Sequence, residues 1–400
     1  MSSLTNGVGM FSNCGNLISF TADLGSLTKG RNMFYNTNIS QFVSDLSPLT
    51  DGSNMFYNCS NLTTFSSDLS SLENGSSMFH GCSKLTTFTS DLSSLTNGYC
   101  MFYYCSNLTT FTSNLSSLTN GEYMFYNCSN LTTFISDLSS LTDGGSMFNV
   151  CSNLTTFNSN LSSLTDGSWM FSNCPNLTTF TSDLSSLTDG GGMFNNCSNL
   201  TTFNSNLSSL TNGYKMFYNS NLSEFTSDLS SLTNGYNMFF GCSFDTDSLI
   251  HIAETIKDVN GLTNGNNGNT SEIYKTIHIG LRYTPTEEEK ELLTEIHNKG
   301  WNVYVDVNGG SSSQFTPTAL IPIDGEEVTT PIPFWAKPEE TDEEHAKYID
   351  ENGNFFNILG AQFIYVDDPE TYGLFTSEED AAANMRLTIY IKPQTKIENQ

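Results

Sequence analysis

The dipeptide Met-Phe returns along the first 243 residues at an almost constant interval, and no other feature of the sequence restricts the fold as strongly. Successive methionines are 22 or 23 residues apart, and they are Met10, Met33, Met55, Met78, Met101, Met124, Met147, Met170, Met193, Met216 and Met238. Such a period is typical of solenoids, in which one repeat cannot bury its own hydrophobic side chains and stacked neighbours must do so. The eleven copies therefore predict a stack of coils over residues 1–243.

A single copy indicates which side chains point into the stack. The copy that begins at Met101 reads MFYYCSNLTTFTSNLSSLTNGEY, and its apolar residues are Met101, Phe102, Cys105, Leu108, Phe111, Leu115 and Leu118. Their spacing fits neither a helix nor a single strand, so the copy must turn several times. The Thr-rich segment 108–113 predicts a strand that pairs in parallel with its copies, with Phe111 inward and Thr110 and Thr112 outward. Dipeptides such as Asn97-Gly98 predict tight turns with a positive φ at the glycine.

The order Met-Phe-x-x-Cys-x-x-Leu-x-x-Phe, followed by Leu-x-x-Leu and Gly, resembles the BspA-type leucine-rich repeat of bacterial surface proteins, whose repeats have the same length. With Met in place of the family's Ala, it also looks like a related repeat of gut-bacterial, mycoplasma and bacteriophage proteins. The resemblance implies an α/β repeat solenoid, a right-handed coil with one long parallel sheet, and a role in adhesion, attachment and protein or glycan recognition. The chain departs from the family at a second inward strand position, which is usually aliphatic and here is Ser90, Ser113 or Ser182.

Residues 244–310 are predicted to form an α/β cap that covers the last apolar coil. The expected elements are a helix over 245–259, a strand over 276–281, a helix that opens with a capping box of Thr286 and Glu289 and stops at Gly300, and a strand over 301–307. The ending Lys-Gly-Trp (299–301) resembles the tails of repeat proteins encoded by gut bacteriophages. The stretch 309–314, GGSSSQ, predicts a flexible linker.

Residues 311–400 predict a small mixed α+β domain for attachment or assembly. The expected elements are strands near 319–323, 361–366 and 387–391 and a helix from Ser377 to Arg386. The chain is thus divided into a solenoid (1–243), its cap (244–310) and this C-terminal domain.

The strong acidity of the sequence limits its partners. The chain carries 42 acidic and 14 basic residues, a formal net charge of −28. Because Lys and Arg supply the affinity for nucleic-acid phosphates and for anionic membranes, we expect neither as a partner. No apolar run reaches the roughly 20 residues of a membrane span. The N-terminus, MSSLTNGVGMF, lacks the basic and apolar parts of a secretory signal, so we expect neither membrane insertion nor standard secretion.

Two polar ladders run through the repeats. Nine copies have a Cys four residues after the Met, and the two 22-residue copies lack it, which a single deletion at the Cys explains. We interpret these cysteines as buried free thiols of a protein that folds in a reducing cytoplasm, with Cys100 outside the ladder and exposed.

The second ladder consists of Asp23, Asp45, Asp68, Asp91, Asn114, Asp137, Asn160, Asp183, Asn206 and Asp228. Calcium binding is one interpretation, and capping of the following turn by each side chain is the favoured one.

The copies differ mainly at a few positions around Met-Phe, where aromatic residues accumulate. The predicted ligand-binding residues are Tyr35, Tyr57, Tyr103, Tyr126, Trp169, Tyr214 and Tyr218, accompanied by Tyr99, Tyr123 and Tyr236. Exposed Tyr and Trp offer rigid, amphipathic contact area at low entropic cost. The alternative is sequence drift, with the rings lying on neighbouring coils. A second candidate face consists of the outward strand positions Thr112, Ile135, Asn158, Thr181 and Asn204.

No catalytic residues, cofactor or metal site are predicted, because the five histidines are scattered and no phosphate-binding loop is found. The preferred hypothesis is a non-enzymatic bacteriophage virion appendage, of tail or head fibre type, that binds a host-surface glycan or protein and is found on the virion or outside the cell after lysis. The alternatives are a bacterial cell-surface adhesin of the BspA type, a structural spacer and an enzyme with its site in 315–400. Another virion or surface protein is expected to bind through 311–400 and through the uncapped first coil.

Overall fold

The computed structural model describes residues 1–262, 274–307 and 309–317 together with four strands between residues 334 and 396. The chain divides into two compact units, Met1–Phe315 and Thr316–Gln400. The first unit contains the repeats and the helix–strand elements that follow them.

The repeats form eleven stacked coils joined by parallel backbone pairing. One ladder is continuous through all eleven coils, with single bridges that link Asn6, Lys29, Asp51, Asn74, Asn97, Asn120, Asp143, Asp166, Asp189, Asn212 and Asn234. A second ladder consists of two-residue strands: β1 (Ser19–Phe20), β2 (Gln41–Phe42), β3 (Thr64–Phe65), β4 (Thr87–Phe88), β5 (Thr110–Phe111), β6 (Thr133–Phe134), β7 (Thr156–Phe157), β8 (Thr202–Phe203) and β9 (Glu224–Phe225). The sequence correctly predicts the parallel coil, while the strand is narrower than the predicted segment 108–113.

Two interlocking columns of phenylalanine fill the core. Phe102 of the Met-Phe dipeptide stacks on its equivalent Phe125, with ring centroids 5.3 Å apart and planes 5° from parallel. The strand residue Phe111 stacks in the same way on Phe134 at 5.8 Å, and it meets Phe102 edge to face at 5.5 Å. All of these rings are buried, as are the leucines predicted to point inward. The predicted inward Phe111 and outward Thr110 and Thr112 are therefore confirmed.

The glycine of each coil serves close packing rather than a positive φ, contrary to the sequence-based expectation. Gly98 is absent from the glycines with positive φ. A Cβ on Gly98 would lie 2.9 Å from Sδ of Met124 and 3.2 Å from Cδ1 of Leu118, both in the next coil. The same contact recurs at Gly52, 2.9 Å from Sδ of Met78. Any larger residue would therefore push two coils apart.

Positive φ angles occur instead at two positions of each coil, directly before the Met and three residues after it. Asparagine, which tolerates this conformation, is the commonest residue there, as at Asn36 (φ 54°) and Asn58 (φ 57°). Less tolerant residues hold the same positions in other coils: Cys100, Tyr104, Tyr123, Val150, Trp169 and Lys215. The abundance of asparagine around Met-Phe is the sequence signal that marks these positions.

The ladder cysteines from Cys59 onward form a buried column, and the short copies do not interrupt it. Cys105 Sγ donates to the Phe79 carbonyl of the preceding coil at 3.2 Å. Thr37 and Ser220 stand at the cysteine position of the two 22-residue copies, and both are buried. Thr37 Oγ1 lies 3.3 Å from Cys59 Sγ. The deleted residue is therefore the one that follows the cysteine position, and the prediction that placed the deletion at the cysteine itself is wrong.

The last coil continues into a mixed four-stranded sheet. Its strands are β10 (Asn234–Phe244), β11 (Tyr274–Leu281), β12 (Asn302–Val307) and β13 (Ser313–Gln314), of which the first three are parallel and the last is antiparallel. The register between β10 and β11 shifts three times, because β10 still follows the winding of a coil and uses 11 residues against 8. Since β13 pairs with β12, the stretch predicted as a flexible linker ends in a strand.

Two helices accompany this sheet, α1 (Thr246–Thr255) and α2 (Glu287–Asn298). Asp245 caps α1 by accepting from the Ser248 amide at 3.0 Å. The capping box predicted for α2 is confirmed, because Thr286 and Glu289 each accept a hydrogen bond from the other's backbone amide. Trp301, which follows α2, is fully buried and donates from Nε1 to the Lys257 carbonyl at 2.8 Å.

In the second unit, four strands form an antiparallel sheet: β14 (Phe334–Trp335), β15 (Lys347–Ile349), β16 (Phe355–Ile364) and β17 (Thr388–Lys396). The strands predicted near 361–366 and 387–391 fall on β16 and β17. The strand predicted at 319–323 and the helix from Ser377 to Arg386 lie outside the described residues.

Val150 allows a test of the strain at the positive-φ positions. Its φ is 61°, whereas the equivalent residues of the adjacent coils are Asn127 and Asn173. Because a β-branched residue is disfavoured in this conformation, we expect Val150→Asn to raise the free energy of unfolding by about 1 kcal/mol. Urea denaturation followed by circular dichroism measures the change. The matched reverse substitution, Asn127→Val, should lower stability by a similar amount, and the prediction fails if Val150→Asn does not stabilise the chain.

Asp306 allows a second test, which concerns pH. Its side chain is buried and accepts from the Gly241 amide at 3.1 Å. Burial raises the pKa of this carboxyl from 3.8 to about 6. Because the folded-state pKa is the higher one, the stabilisation is present at low pH and is lost as the pH rises through 6. Between pH 5 and 7.5 the wild-type chain should lose about 1 kcal/mol through this group.

The comparison that isolates this effect is Asp306→Asn against the exposed control Asp68→Asn. The Asp306→Asn variant should lose this fall in the free energy of unfolding, whereas the control should retain it. Equal pH dependence in both variants would show that Asp306 titrates at its ordinary pKa.

Candidate functional site

The aromatic residues selected from the sequence lie at three positions of the coil that flank the buried Met-Phe pair, and we call this surface the aromatic edge. Tyr35, Tyr57, Tyr103, Tyr126 and Tyr218 directly follow Met-Phe, Trp169 directly precedes it, and Tyr214 stands two residues before the Met. All seven are partly exposed. Since equivalent residues of successive coils are neighbours, the structure brings some of these residues into contact and separates others.

Five rings directly after Met-Phe form a continuous stack over consecutive coils. The order is Tyr35, Tyr57, His80, Tyr103 and Tyr126, and the four successive centroid distances are 4.8, 4.3, 4.8 and 4.7 Å. Neighbouring ring planes differ by only 11–13°. The sequence selected the four tyrosines but missed His80, which was regarded as one of the scattered histidines. Its position two residues after Met78 is the signal that identifies it.

Three further tyrosines surround the C-terminal part of this five-ring stack. Tyr104 meets Tyr103 edge to face at 4.7 Å, and Tyr123 lies 5.9 Å from Tyr126. Tyr99 meets Tyr123 edge to face at 6.2 Å. Tyr104 was not selected from the sequence, although it is one of the most exposed tyrosines of the solenoid, at 45%. These residues extend the stack into a broad aromatic patch.

A second aromatic cluster occupies the last two coils. Tyr214 stacks on Tyr236 at 5.9 Å, and Tyr218 stacks on Phe240 at 4.9 Å. The Lys215 ammonium lies 5.2 Å from the Tyr214 ring and 5.5 Å from the Tyr218 ring, within cation–π range. Tyr214 and Tyr218, both selected from the sequence, therefore belong to one group that is separate from the five-ring stack.

The five-ring stack is uncharged and presents ring edges and hydroxyls to solvent, because each inner ring covers the faces of its neighbours. Burial is the main reason why the pKa of Tyr103 rises to about 12 and that of Tyr57 rises in the same direction. Burial also lowers the pKa of His80, which disfavours its charged form. The result is an ordered row of rings in which the four tyrosine hydroxyls can both donate and accept hydrogen bonds.

The other candidate sites have structural explanations. In the acidic ladder, Asp91 Oδ1 accepts from the Ser93 amide at 2.9 Å, and Asn114 Oδ1 accepts from Ser116 at the same distance. This confirms turn capping as the role of the ladder. In the part of the chain that the structure describes, no group of three or more His, Cys, Asp or Glu could hold a metal ion. The strand face is exposed, and of its large apolar residues Ile18 and Val43 belong to adjacent coils, whereas Ile135 lies four coils beyond Val43. No helix within the described ranges is long and apolar enough to cross a membrane.

Comparison with known families agrees with this repeat architecture. The family model for the BspA type leucine rich repeat region matches six copies, over residues 6–109, 52–165 and 121–245. No curated protein matches the sequence.

Two solved structures of bacterial leucine-rich repeat proteins are similar to the chain. The protein from Bacteroides ovatus is 16% identical with a TM-score of 0.37, and the match covers 76% of this chain and 82% of that protein. The protein from Eubacterium ventriosum is 17% identical with a TM-score of 0.29, and the match covers 46% of this chain and 66% of that protein.

The cysteines give a direct test of the coil packing. Two predictions are wrong: Cys14 is exposed, although the sequence predicted burial, and Cys100 is buried, although the sequence predicted exposure. The other eight cysteines are buried. Burial also raises the pKa of Cys100 to about 11, which disfavours the reactive thiolate. We expect one thiol per native chain to react rapidly with DTNB at pH 8, and the others only after unfolding. Cys14→Ser should abolish the rapid phase and Cys100→Ser should leave it intact, whereas a second rapid thiol that disappears in Cys100→Ser would contradict this packing.

Proposed function

Because this chain belongs to the BspA-type leucine-rich repeat family, whose model matches it from residue 6 to residue 245, we propose that it is a non-enzymatic recognition protein that binds a macromolecular partner through its aromatic edge. Repeat proteins of this kind are generally non-enzymatic and have surface or binding roles. The observation that carries the proposal is the five-ring stack from Tyr35 to Tyr126.

The stack supports binding because its rings are ordered before any partner arrives. Each inner ring has a ring on both faces, so little rotational freedom remains to be lost on binding. Tyrosine supplies a large contact area with few rotatable bonds, and its hydroxyl provides hydrogen bonds that fix the orientation of the partner. A core role would bury these rings, whereas all of them are partly exposed.

The setting we propose is a bacteriophage virion appendage whose partner is a protein or glycan of the host cell surface. The resemblance of the Met-Phe repeat and of the Lys-Gly-Trp ending to phage-encoded repeat proteins supports this setting. In such an appendage, residues 311–400 would attach the solenoid to another virion protein. A bacterial surface adhesin would use the same edge in the same way, so the test of binding applies to both.

The test compares cell binding of the full wild-type chain with that of two variants at Tyr35, Tyr57, Tyr103 and Tyr126. Changing all four to Ser removes the rings, and we expect the fluorescently labelled chain to bind gut-bacterial cells at least about tenfold more weakly. Changing all four to Phe keeps the stack and removes only the hydroxyls, so the loss should be smaller. Flow cytometry measures binding, and circular dichroism establishes that each variant is folded.

Tyr283→Ser is the matched control, because this tyrosine is 61% exposed but lies outside the aromatic edge. It should bind as wild type does. If the four-Ser variant binds normally, the aromatic edge is not the binding surface, and a variant with Thr112 and Thr181 changed to Glu then tests the strand face. If the wild-type chain binds no cell type, the proposal fails in favour of a structural spacer.

A further inference from the structure

Trp169 lies on the solenoid surface in a different way from the tyrosines. The inner rings of the five-ring stack have both faces covered by neighbouring rings. Among the described residues, no aromatic ring pairs with Trp169. Its indole instead covers Gly192, the equivalent residue of the next coil. A Cβ built on Gly192 would come within 2.7 Å of three indole atoms, Cε3, Cδ2 and Cζ3.

This contact fixes the orientation of the indole. At the position directly before the Met, Tyr123 and Lys215 are partly exposed, whereas the smaller Cys100 and Ser146 are buried. Because the indole occupies the space where a side chain of Gly192 would project, one of its faces rests on the glycine and the opposite face is directed outward. Trp169 is partly exposed, which agrees with one covered face. The φ of 58° at Trp169 is the conformation that every coil adopts at this position.

The surroundings of Trp169 in the described residues lack other rings and consist of small side chains, of which Ser172 and Asn195 are themselves buried. Between Tyr126 and Tyr218, the position after Met-Phe holds Asn149, Ser172 and Asn195 in place of aromatic residues. The two clusters of the aromatic edge are therefore separated by three coils with small polar side chains. Trp169 belongs to the middle one of these coils, so no ring at the position after Met-Phe stands beside it in either adjacent coil.

Carboxylates stand three residues before Trp169 and at the equivalent position of both adjacent coils. Asp143, Asp166 and Asp189 are equivalent residues of successive coils, and Oδ1 of each accepts from the amide two residues later. The described residues supply no donor to Oδ2 of any of the three, so this oxygen is left for a ligand hydroxyl. Burial, followed by repulsion from Asp143 and Asp166, raises the pKa of Glu122.

We propose that Trp169 is the stacking platform of a carbohydrate subsite that takes the pyranose ring of a neutral glycan. The apolar C–H face of the sugar packs on the outward indole face, while its hydroxyls donate to the Asp143, Asp166 and Asp189 carboxylates. The same carboxylates repel sialic acids and phosphorylated sugars. This subsite rests on the proposed function, since it belongs to the aromatic edge, and it names the ligand class of that edge.

Saturation-transfer NMR of the full chain tests the subsite with defined probes: cellotetraose, chitotetraose, mannotetraose and, as the anionic probe, tetrameric sialic acid. We expect transfer to the ring protons of at least one neutral probe and none to the anionic one. Trp169→Ala should weaken binding of that neutral probe roughly tenfold.

Gly192→Asn is the second variant, and it displaces the indole without removing it. Asn fits the backbone of Gly192 (φ +65°), as Asn32 and Asn54 do at the same position of other coils. Its Cβ would collide with the indole, so sugar binding should fall as in Trp169→Ala. Gly9→Asn is the matched control, because Gly9 has the same φ, and a Cβ there meets nothing within 4 Å.

Absence of transfer to every neutral probe, or equal binding by Trp169→Ala and wild type, would overturn the subsite. The four-Ser variant of the five-ring stack separates this result from the proposed function. Sugar binding that survives in that variant while cell binding is lost supports both proposals. Cell binding that depends on the tyrosines, in a chain that binds no sugar, leaves the recognition role standing and removes the carbohydrate subsite.

Discussion

The whole solenoid depends on in-register stacking, in which each inward side chain of one coil packs on the equivalent side chain of the next coil. A coil of 22 or 23 residues has no interior of its own, so its Met, Phe, Cys and Leu are buried only by their equivalents above and below. The two phenylalanine columns set the spacing, because flat rings stack face to face along each column and edge to face between columns. The coil glycines then allow the close approach that this spacing requires.

The same stacking extends to the surface, where it decides what the chain can bind. A position that varies between coils still has its equivalents as nearest neighbours, so aromatic residues in consecutive coils become a stack, as from Tyr35 to Tyr126. A single aromatic residue between coils with small side chains instead lies flat on its neighbour, as Trp169 does on Gly192. Whether a ring exposes its edge or its face therefore depends on which residue stands at the equivalent position of the next coil.

The sequence predicted the inward residues of the coil correctly, because their recurrence at one period leaves no other way to bury them. It could not assign the role of Gly98. A recurring glycine looks the same in the sequence whether close packing against a neighbouring Met or a positive φ requires it. The sequence also misplaced the deletion in the short copies, because the letters alone do not show that Thr37 and Ser220 occupy the cysteine position of the buried column. For the candidate site, the period selected the tyrosines but could not distinguish stacked rings from a ring that lies flat.

Asparagine is the residue that the backbone prefers at the two positive-φ positions of the coil, so each other non-glycine residue there has a destabilising effect of about 1 kcal/mol. A backbone held by hydrogen bonds to coils on both sides tolerates this strain, because the neighbouring coils determine its conformation. Tyr104, Tyr123 and Trp169 occupy these positions within the aromatic edge. The aromatic residues therefore stand where the fold would be more stable with asparagine, as expected if contact with a partner rather than stability maintains them.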